Sequence, residues 1–487
     1  MKNSILTLLL ALTTVLALNA ETFTGNIVVN RNGQTYNSVV TVTATQQADG
    51  LNTLVLQVPL FGTMTMTDVP SSYRRGVTVY SAVRDVNTNF GVMTTTVFAR
   101  TYDGMMAANV AIPAQNATMW FNTVGDYFQL PNSDMESWTN AYGEPDRWHG
   151  FKTATGTYAG MSSGLVSLEQ SDDVREGATG HSAVMTAGSV LTAIANGTMT
   201  NGRLNAGSPF ATSTANHAEM DMANGTDDFY MPLHAKPDKF NVWLKYTNSN
   251  SNHKASVSVK TFDGTYYQEP TDKTYTNLSG SIVGGPIPAG DWTFYSFPFD
   301  YASYAANGAA SDAIFVTFST NGTPGQGNKG DQLFVDDMEL VYLAEMTDLR
   351  YQHVTIEGWN PAVTEYNIQM ANVPNLDDFD ATVTGESALV LKSMEQNADG
   401  TYRIAISAIP ADLQAATCYI INVTVASFIK GDVNNDGAVN ISDVTVLIDY
   451  LLKGSGEINM QAADFDNSGS INISDVTDLI DYLLSGH

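Results

Sequence analysis

A twelve-residue string occurs twice near the C-terminus, and it restricts that end of the chain to very few folds. Asp432-Val-Asn-Asn-Asp-Gly-Ala-Val-Asn-Ile-Ser-Asp443 returns as Asp464-Phe-Asp-Asn-Ser-Gly-Ser-Ile-Asn-Ile-Ser-Asp475. Oxygen-bearing side chains fall at positions 1, 3, 5, 9 and 12. They are Asp432, Asn434, Asp436, Asn440 and Asp443 in the first copy, and Asp464, Asp466, Ser468, Asn472 and Asp475 in the second. Position 6 is Gly437 or Gly469, where a sharp turn lets the position-7 carbonyl, from Ala438 or Ser470, join the same centre. Hard oxygens at this spacing suit Ca²⁺, whereas Mg²⁺ demands a tighter octahedron and keeps its waters. Behind each loop the apolar residues recur at i, i+3, i+4, i+7 and i+8: Val444, Leu447, Ile448, Leu451 and Leu452, then Val476, Leu479, Ile480, Leu483 and Leu484. This period predicts an amphipathic helix after each loop. Residues 420–425, ahead of the first loop, are strand-like, so no helix is expected to enter it. Two such short helices are marginal alone. Packing their stripes together while ions neutralise the loops makes metal affinity part of the folding free energy.

The rest of the chain is of another texture. Its 487 residues exceed what one core can organise, so several domains are expected. Charged residues make up only 15%, and the polar positions are filled by Thr, Ser, Asn and Gly, which suits β-rich extracellular modules. The 50 acidic residues against 22 basic ones give a formal charge of −28. No Lys/Arg cluster is present to bind phosphate, which argues against a nucleic-acid partner. One cysteine, Cys418, rules out an internal disulfide and a cysteine-based zinc site. It reads as a small buried hydrophobe. The opening Met1-Lys2-Asn3, an apolar run over 5–18 and Ala20 before Glu21 have the form of a secretory signal peptide over 1–20. That run is too short to span a bilayer comfortably, so an integral membrane protein is not expected.

Three further regions follow the signal. Over 21–118, strand-like runs at 23–29, 39–44 and 51–58 and the turn dipeptide Asn32-Gly33 predict an all-β unit. In pattern and placement, "FTGNIVVNRNGQTYNSVVTVTATQQADG" resembles the calycin-like β-barrel of secreted Bacteroidetes proteins. Over 119–344, Gly-, Asn- and Ser-rich loops separate strands expected at 240–246, 255–261, 292–299, 313–318 and 332–342. The blocks "DMESWTNAYGEPDRWHGF", "FNVWLKYTNS" and "GDQLFVDDMELVY" resemble the carbohydrate-metabolism domain family (PCMD), a jelly roll related to carbohydrate-binding modules. Over 345–428, "LRYQHVTIEGWNPAVTEYNI" and strand-like runs at 388–391, 402–406 and 419–425 resemble the small Ig-like spacers of bacterial surface proteins.

The C-terminal region, 429–487, resembles a type I dockerin: two half-EF-hands, each a calcium loop followed by one helix. Asp at position 12, where an EF-hand has Glu, agrees with that family. The resemblance implies two Ca²⁺ ions and a cohesin-type partner. It implies that the partner is met by loop positions 10 and 11 and two helix residues, here Ile441, Ser442, Ile448 and Asp449, with Ile473, Ser474, Ile480 and Asp481 in the second copy. The two sets are identical in type, so docking either way round is expected. Ile448 and Ile480 also belong to the stripe expected to be buried. The fold class expected is therefore multidomain and mainly β, with barrel, jelly roll and Ig-like sandwich ahead of a helical paired half-EF-hand.

A sugar-facing sandwich needs aromatic faces for stacking and a few polar groups for hydroxyls. Trp138, Tyr142, Trp148, Trp243 and Tyr267 are the candidates. In the strand 240–246, Trp243 alternates with the apolar positions and so belongs on the solvent face. Resemblance to carbohydrate-binding jelly rolls also implies a structural Ca²⁺ between Glu136 of "DMESW" and Asp336 or Asp337 of "LFVDDMEL". Enzyme signatures are weak. Gly160-Met-Ser-Ser-Gly164 fits a nucleophile elbow by letters, but lacks the strand–turn–helix setting and reads as a turn. Gly325-Gln-Gly-Asn-Lys-Gly330 leads into a strand where a dinucleotide site needs a helix. Glu144, Asp146 and Glu219 are available carboxylates, and sequence alone cannot show the separation that glycoside hydrolysis requires. No catalytic residue is identified. The expectation is a secreted glycan-binding protein, tethered through its dockerin for polysaccharide capture or degradation. A glycoside hydrolase using the same sandwich, or a structural adhesin component, are the alternatives.

Overall fold

The computed structural model describes residues 20–74, 76–123, 128–191, 193–222, 229–250, 252–284, 286–370, 372–425 and 428–485. The expected signal peptide lies outside these residues, apart from Ala20. Among the described residues no helix is long and apolar enough to cross a membrane. The chain is mainly β, with helices concentrated at the C-terminal end.

A nine-stranded antiparallel sheet spans Ala20–Asn122. It is seeded by the hairpin Ala20–Arg31 and Gln34–Gln46, joined by Asn32 and Gly33 at φ 51° and 78°. Two positive φ values are what a tight two-residue hairpin requires, and Asn-Gly adopts them at little cost. Ala117–Asn122 pairs with the other side of the first strand, so chain-distant ends meet. Arg84 on Val77–Thr88, the strand next to the short edge strand Ser71–Arg74, donates from Nε to the Thr67 carbonyl (3.2 Å) and from Nη2 to the Asp68 carbonyl (2.6 Å) on Gly62–Val69, the opposite edge. The sheet thereby curls into a barrel. Alternation fills the interior with Phe23, Ile27, Val42, Leu54, Met64, Val97, Val110 and Phe121. Threonines such as Thr22, Thr24 and Thr65 stay on the solvent side.

A second nine-stranded sheet forms the sandwich. One half runs in the order Ser167–Ser171, Ser182–Thr186, Gln332–Val341, Lys239–Thr247 and Gly290–Asp300; the other in the order Leu278–Ile282, Ser256–Phe262, Ala313–Ser319 and Thr198–Thr200. The long strand Gly290–Asp300 turns the corner. It pairs with Lys239–Thr247 through most of its length and with Leu278–Ile282 at Phe299 and Asp300. Between the halves lies a core of Val242, Leu244, Leu333 and Val335 facing Val257, Val259, Val316 and Phe318. The five strands expected from alternation all form, shifted at their ends by no more than two residues.

The remaining β region carries a three-stranded sheet around Met346–Tyr351 and a four-stranded sheet. In the latter, Glu365–Met370 pairs in parallel with Ile420–Val425 of Thr417–Val425. Cys418 sits on this last strand with its thiol pushed up to about 11 by burial. The chain forms two compact units. One runs to Met346 and also takes in Val383–Leu391 and Ala408–Thr417; the other holds Thr347–Thr382, Lys392–Ser407 and Cys418 onward. The division follows packing rather than a single cut in the sequence. Arg100 donates to the Pro410 carbonyl (3.3 Å) and Ala411 joins the sandwich core.

Trp148 is fully buried in that core, its indole Nε1 donating to the Pro131 carbonyl (3.0 Å) and its ring 6.3 Å from Phe318. Trp148→Ala should cost about 3–5 kcal/mol of the first unit's stability. Tyr142→Ala, at an exposed ring, should stay within about 0.5 kcal/mol. Chemical denaturation of the two variants checks the pair. A loss at Trp148 no larger than that at Tyr142 would contradict the packing described.

Candidate functional site

The two C-terminal loops fold alike around their first and last carboxylates. Asp432 accepts from the Asp436 amide at Oδ1 (3.0 Å) and from the Gly437 amide at Oδ2 (2.9 Å). Asp464 accepts from the Ser468 (2.9 Å) and Gly469 (3.0 Å) amides. At the far end, Asp443 takes the Asn434 (3.1 Å) and Asn440 (2.9 Å) amides, and Asp475 takes those of Asp466 (3.2 Å) and Asn472 (2.8 Å). Gly437 and Gly469 have φ of 86° and 81°, the left-handed turn expected at position 6. Asn435 and Asn467 share that region at 59° and 57°.

Asp443 and Asp475 are both 0% exposed, and among the described residues neither has a Lys or Arg ion pair. Ionised carboxylates in such a position need a cation. Carboxylate oxygens of Asp464, Asp466 and Asp475 lie within 4.8 Å of one another. With Asp432, Asn434, Asp436 and Asn440 in the first loop, Ser468 and Asn472 in the second, and the carbonyls of Ala438 and Ser470, the donors are all hard oxygens. That set fits Ca²⁺.

Each loop runs into its helix, Ile441–Lys453 or Ile473–Ser485. The first begins in a capping box, with Asn440 accepting from the Ser442 amide, and ends at Gly454 in the left-handed region. Val433, Val444, Leu447, Ala463, Val476 and Leu479 form the small core, with Phe465, Leu451, Ile480 and Leu483 against it. Sequence reasoning placed Leu452 and Leu484 on the buried stripe; they are 79% and 80% exposed. A helix this thin, packed on one partner, buries only the central part of a wide stripe, and its i+8 member rotates out. Two further features escaped the sequence reading. A single helical turn, Met460–Ala463, capped by the Asn459 side chain, leads into the second loop. Gly431 stands at φ 93°, a backbone conformation that favours glycine, and a Cβ there would also crowd the Val439 and Leu479 side chains at 2.8 and 2.9 Å. The signal for both was present only in how the two repeats differ.

The expected docking residues are at the surface. Ile441 and Ile473 are exposed, as are Ser442, Asp449, Ser474 and Asp481. Ile448 lies at the edge of exposure and Ile480 is half-buried against the core, so the two copies are not equivalent there. Lys453 pairs with Asp449 (2.7 Å), whereas Asp481 has Ser485 at the matching place.

In the sandwich the aromatic candidates separate. Trp148 is core, and Tyr267 is buried with Phe262 and Phe315, its hydroxyl donating to Glu269 (2.9 Å). Neither ring can stack on a sugar, which corrects the expectation for both. Trp138 packs against the core and donates from its indole to the Met135 carbonyl (2.6 Å). Tyr142 is exposed on a loop. Trp243 stands on the solvent side of its strand, 5.5 Å from Phe294, with the Arg175 guanidinium 5.2 Å from its ring. Glu136 accepts from the His181 amide (2.8 Å). Burial, then the neighbouring Asp337, pushes Asp336 up to about 7, an environment that a cation would relieve. Arg175 is committed to Asp337 (2.7 Å).

The carboxylates available for hydrolysis are occupied. Asp146 accepts from Ser137, Thr139 and Asn140, contacts that hold it well below the usual carboxylate range despite opposing desolvation. Glu144 is buried, which raises it, and accepts from the Lys152 amide and the Thr153 hydroxyl. Glu219 is held low first by His217 (3.1 Å), against desolvation, and accepts from Tyr266 as well. The Gly160–Gly164 string overlaps the one-turn helix Ala159–Ser162, and Ser162 is buried.

Leu447→Ala and Leu479→Ala should each destabilise the calcium-loaded helices by about 2–5 kcal/mol. Leu452→Ala and Leu484→Ala should each stay within about 0.5 kcal/mol. Denaturation followed by far-ultraviolet circular dichroism checks the contrast, and equal losses at all four would contradict the assignment of faces.

Comparison with known proteins bears on this end of the chain most directly. The family profile of the dockerin type I domain matches residues 430–484. No curated protein sequence matches the chain. Among solved structures, the chain is similar to a candidate glycoside hydrolase from Bacteroides thetaiotaomicron VPI-5482. Identity is 13%, covering 52% of this chain and 87% of that one, at a TM-score of 0.35. It is also similar to the tandem CBM22 domains of a Paenibacillus barcinonensis protein. There identity is 9%, covering 66% of this chain and 74% of that one, at a TM-score of 0.22. The profile match and the duplicated loop–helix geometry agree: residues 430–484 are a dockerin type I domain.

Proposed function

We propose that this protein is an extracellular, non-catalytic glycan-binding component that its dockerin fastens to a cohesin on a larger assembly or cell surface. The observation that carries the reading is the pair of matching oxygen-lined loops, each aiming an isoleucine, Ile441 or Ile473, into solvent at the start of its helix. Two Ca²⁺ ions, one per loop, would neutralise the carboxylates and fix both helices in the geometry a cohesin meets. Exposed Ile441 and Ile473, with the neighbouring serines, supply an apolar contact with a polar rim, the usual anatomy of a protein interface.

Glycan binding is supported by the sandwich. Its outer strand faces set hydroxyl side chains and aromatic rings side by side, the mixture that sugar hydroxyls and C–H faces can meet. Absence of cleavage is supported by the commitments of Glu144, Asp146 and Glu219, each fastened into its own loop or strand. Glu136 and Asp336 are the carboxylates open to a further structural Ca²⁺ in the sandwich.

Capture of the full-length protein on an immobilised type I cohesin should require Ca²⁺. Ile441→Asp and Ile473→Asp singly should weaken it by less than about tenfold, because the other copy can dock. The double variant should lose more than about a hundredfold, since a charge then faces an apolar contact in either orientation. A double variant that binds like the wild type would sink this docking surface. A single variant that abolishes capture would sink the two-way mode.

A further inference from the structure

The outer face of the sandwich's second half, opposite the face that carries Trp243, forms the floor of a groove of about 640 Å³. That size is in the range of small-ligand sites, about 300–1,000 Å³. On the floor, alternation turns Val257, Val259, Val316 and Phe318 into the core and leaves Ser256, Ser258, Thr317 and Ser319 outward. These four hydroxyl residues are cross-strand neighbours, Ser256 opposite Ser319 and Ser258 opposite Thr317. They therefore make a two-by-two patch rather than a scatter. The short three-stranded sheet Arg203–Ala206, Asn216–Met220 and Tyr267–Glu269 contributes to the walls, and Phe151 and Tyr158 add aromatic surface.

One charged group is built into this lining. Glu269 accepts at Oε1 from the Ser258 hydroxyl (3.0 Å) and the Tyr267 hydroxyl (2.9 Å), with Lys260 Nζ at 3.8 Å from the same oxygen. Its side chain is 19% exposed, and among the described residues Oε2 receives no side-chain donor. One oxygen is thus anchored and the other can accept from a ligand, a strong acceptor for paired hydroxyls. Among the described residues, no lysine or arginine lines the groove. His217 does, but Nδ1 faces the Thr214 carbonyl (2.8 Å) and Nε2 faces Glu219 (3.1 Å). Burial opposes the charged imidazole, yet these acceptors raise its pKa overall. Both ring nitrogens already have partners within the protein, so neither is open to a substrate.

We propose that this groove binds an uncharged glycan segment, with Glu269 as the hydroxyl acceptor and the Ser256–Ser258–Thr317–Ser319 patch beneath it. The inference rests on reading the protein as a glycan binder and adds where the glycan sits and of which class it is. Hydroxyls on the floor and apolar walls match a sugar chain's equatorial hydroxyls and C–H faces. The lining carboxylate holds the nearby Lys260 as its own ion pair, and no further Lys or Arg among the described lining residues is left to attract uronates or sulfated sugars. Glu269 is also the one carboxylate among the lining residues, and glycoside hydrolysis ordinarily needs two, about 5–9.5 Å apart.

Affinity electrophoresis of the full-length protein against neutral polysaccharides (xylan, β-glucan, galactomannan) and acidic ones (polygalacturonate, a sulfated galactan) tests this. The variants are Glu269→Gln, Ser258→Trp and Trp243→Ala, with thermal melting as the folding check. The expected result is retention by at least one neutral polysaccharide and none by the acidic ones. Glu269→Gln should weaken retention about tenfold, the worth of a hydrogen bond to a charged group. Ser258→Trp should abolish it by filling the groove, and Trp243→Ala should leave it unchanged. If Ser258→Trp fails to fold, the isosteric Glu269→Gln decides. Neutral-glycan retention that both groove variants leave intact overturns the groove and spares the glycan reading. Loss in Trp243→Ala alone does the same and moves the site to the other face. Preferential retention by an acidic polysaccharide overturns the ligand class. No retention of the wild-type protein by any polysaccharide overturns the glycan reading, and the groove with it.

Discussion

Four carboxylates, Asp432, Asp443, Asp464 and Asp475, hold the docking end of the chain together, each clamping two backbone amides of its own loop. Those bonds shape the loops, but they leave negative charge in places where Asp443 and Asp475 have no water to solvate it. A folded loop is therefore tolerable only with a cation at its centre. The helices inherit this condition, because Val444, Leu447, Val476 and Leu479 meet in a core too small to fold by itself. What the ion finally supports is a surface: Ile441 and Ile473 are presented on helix starts that the loops fix in place.

The first unit works by opposite means. Its barrel and sandwich close on large apolar cores, Phe23 through Phe121 in one and the Trp148–Phe240–Phe318 cluster in the other. That stability frees the outer faces of the sandwich for chemistry. One face shows aromatic rings at Trp243 and Phe294; the other shows hydroxyls and an anchored carboxylate at the groove. The same strand alternation makes both, by sending every second residue outward.

What could be read from the sequence follows from how local each signal is. The calcium loops were legible because all their donors lie within twelve residues and the pattern occurs twice. Strands such as Lys239–Thr247 and Ser256–Phe262 were legible from alternation, and the same parity placed Trp243 outside correctly. Trp148 had no such period, since it lies in a loop, and only tertiary packing shows it to be core. Tyr267 sits on a three-residue strand too short to reveal its face. Leu452 and Leu484 were misplaced because helical period gives the stripe but not how far the partner helix covers it. The groove was invisible for another reason. Its lining runs from Phe151 to Gly325 and exists only after the three-stranded sheet has folded onto the sandwich.

The most direct measurement is calcium binding to the full-length protein, followed together with its far-ultraviolet circular dichroism. Uptake of two ions per chain should accompany gain of the helical signal from Ile441–Lys453 and Ile473–Ser485, and a chelator should reverse both. Helices that persist unchanged without any divalent ion would show that the buried carboxylates do not depend on one, and the account of the docking end would fail.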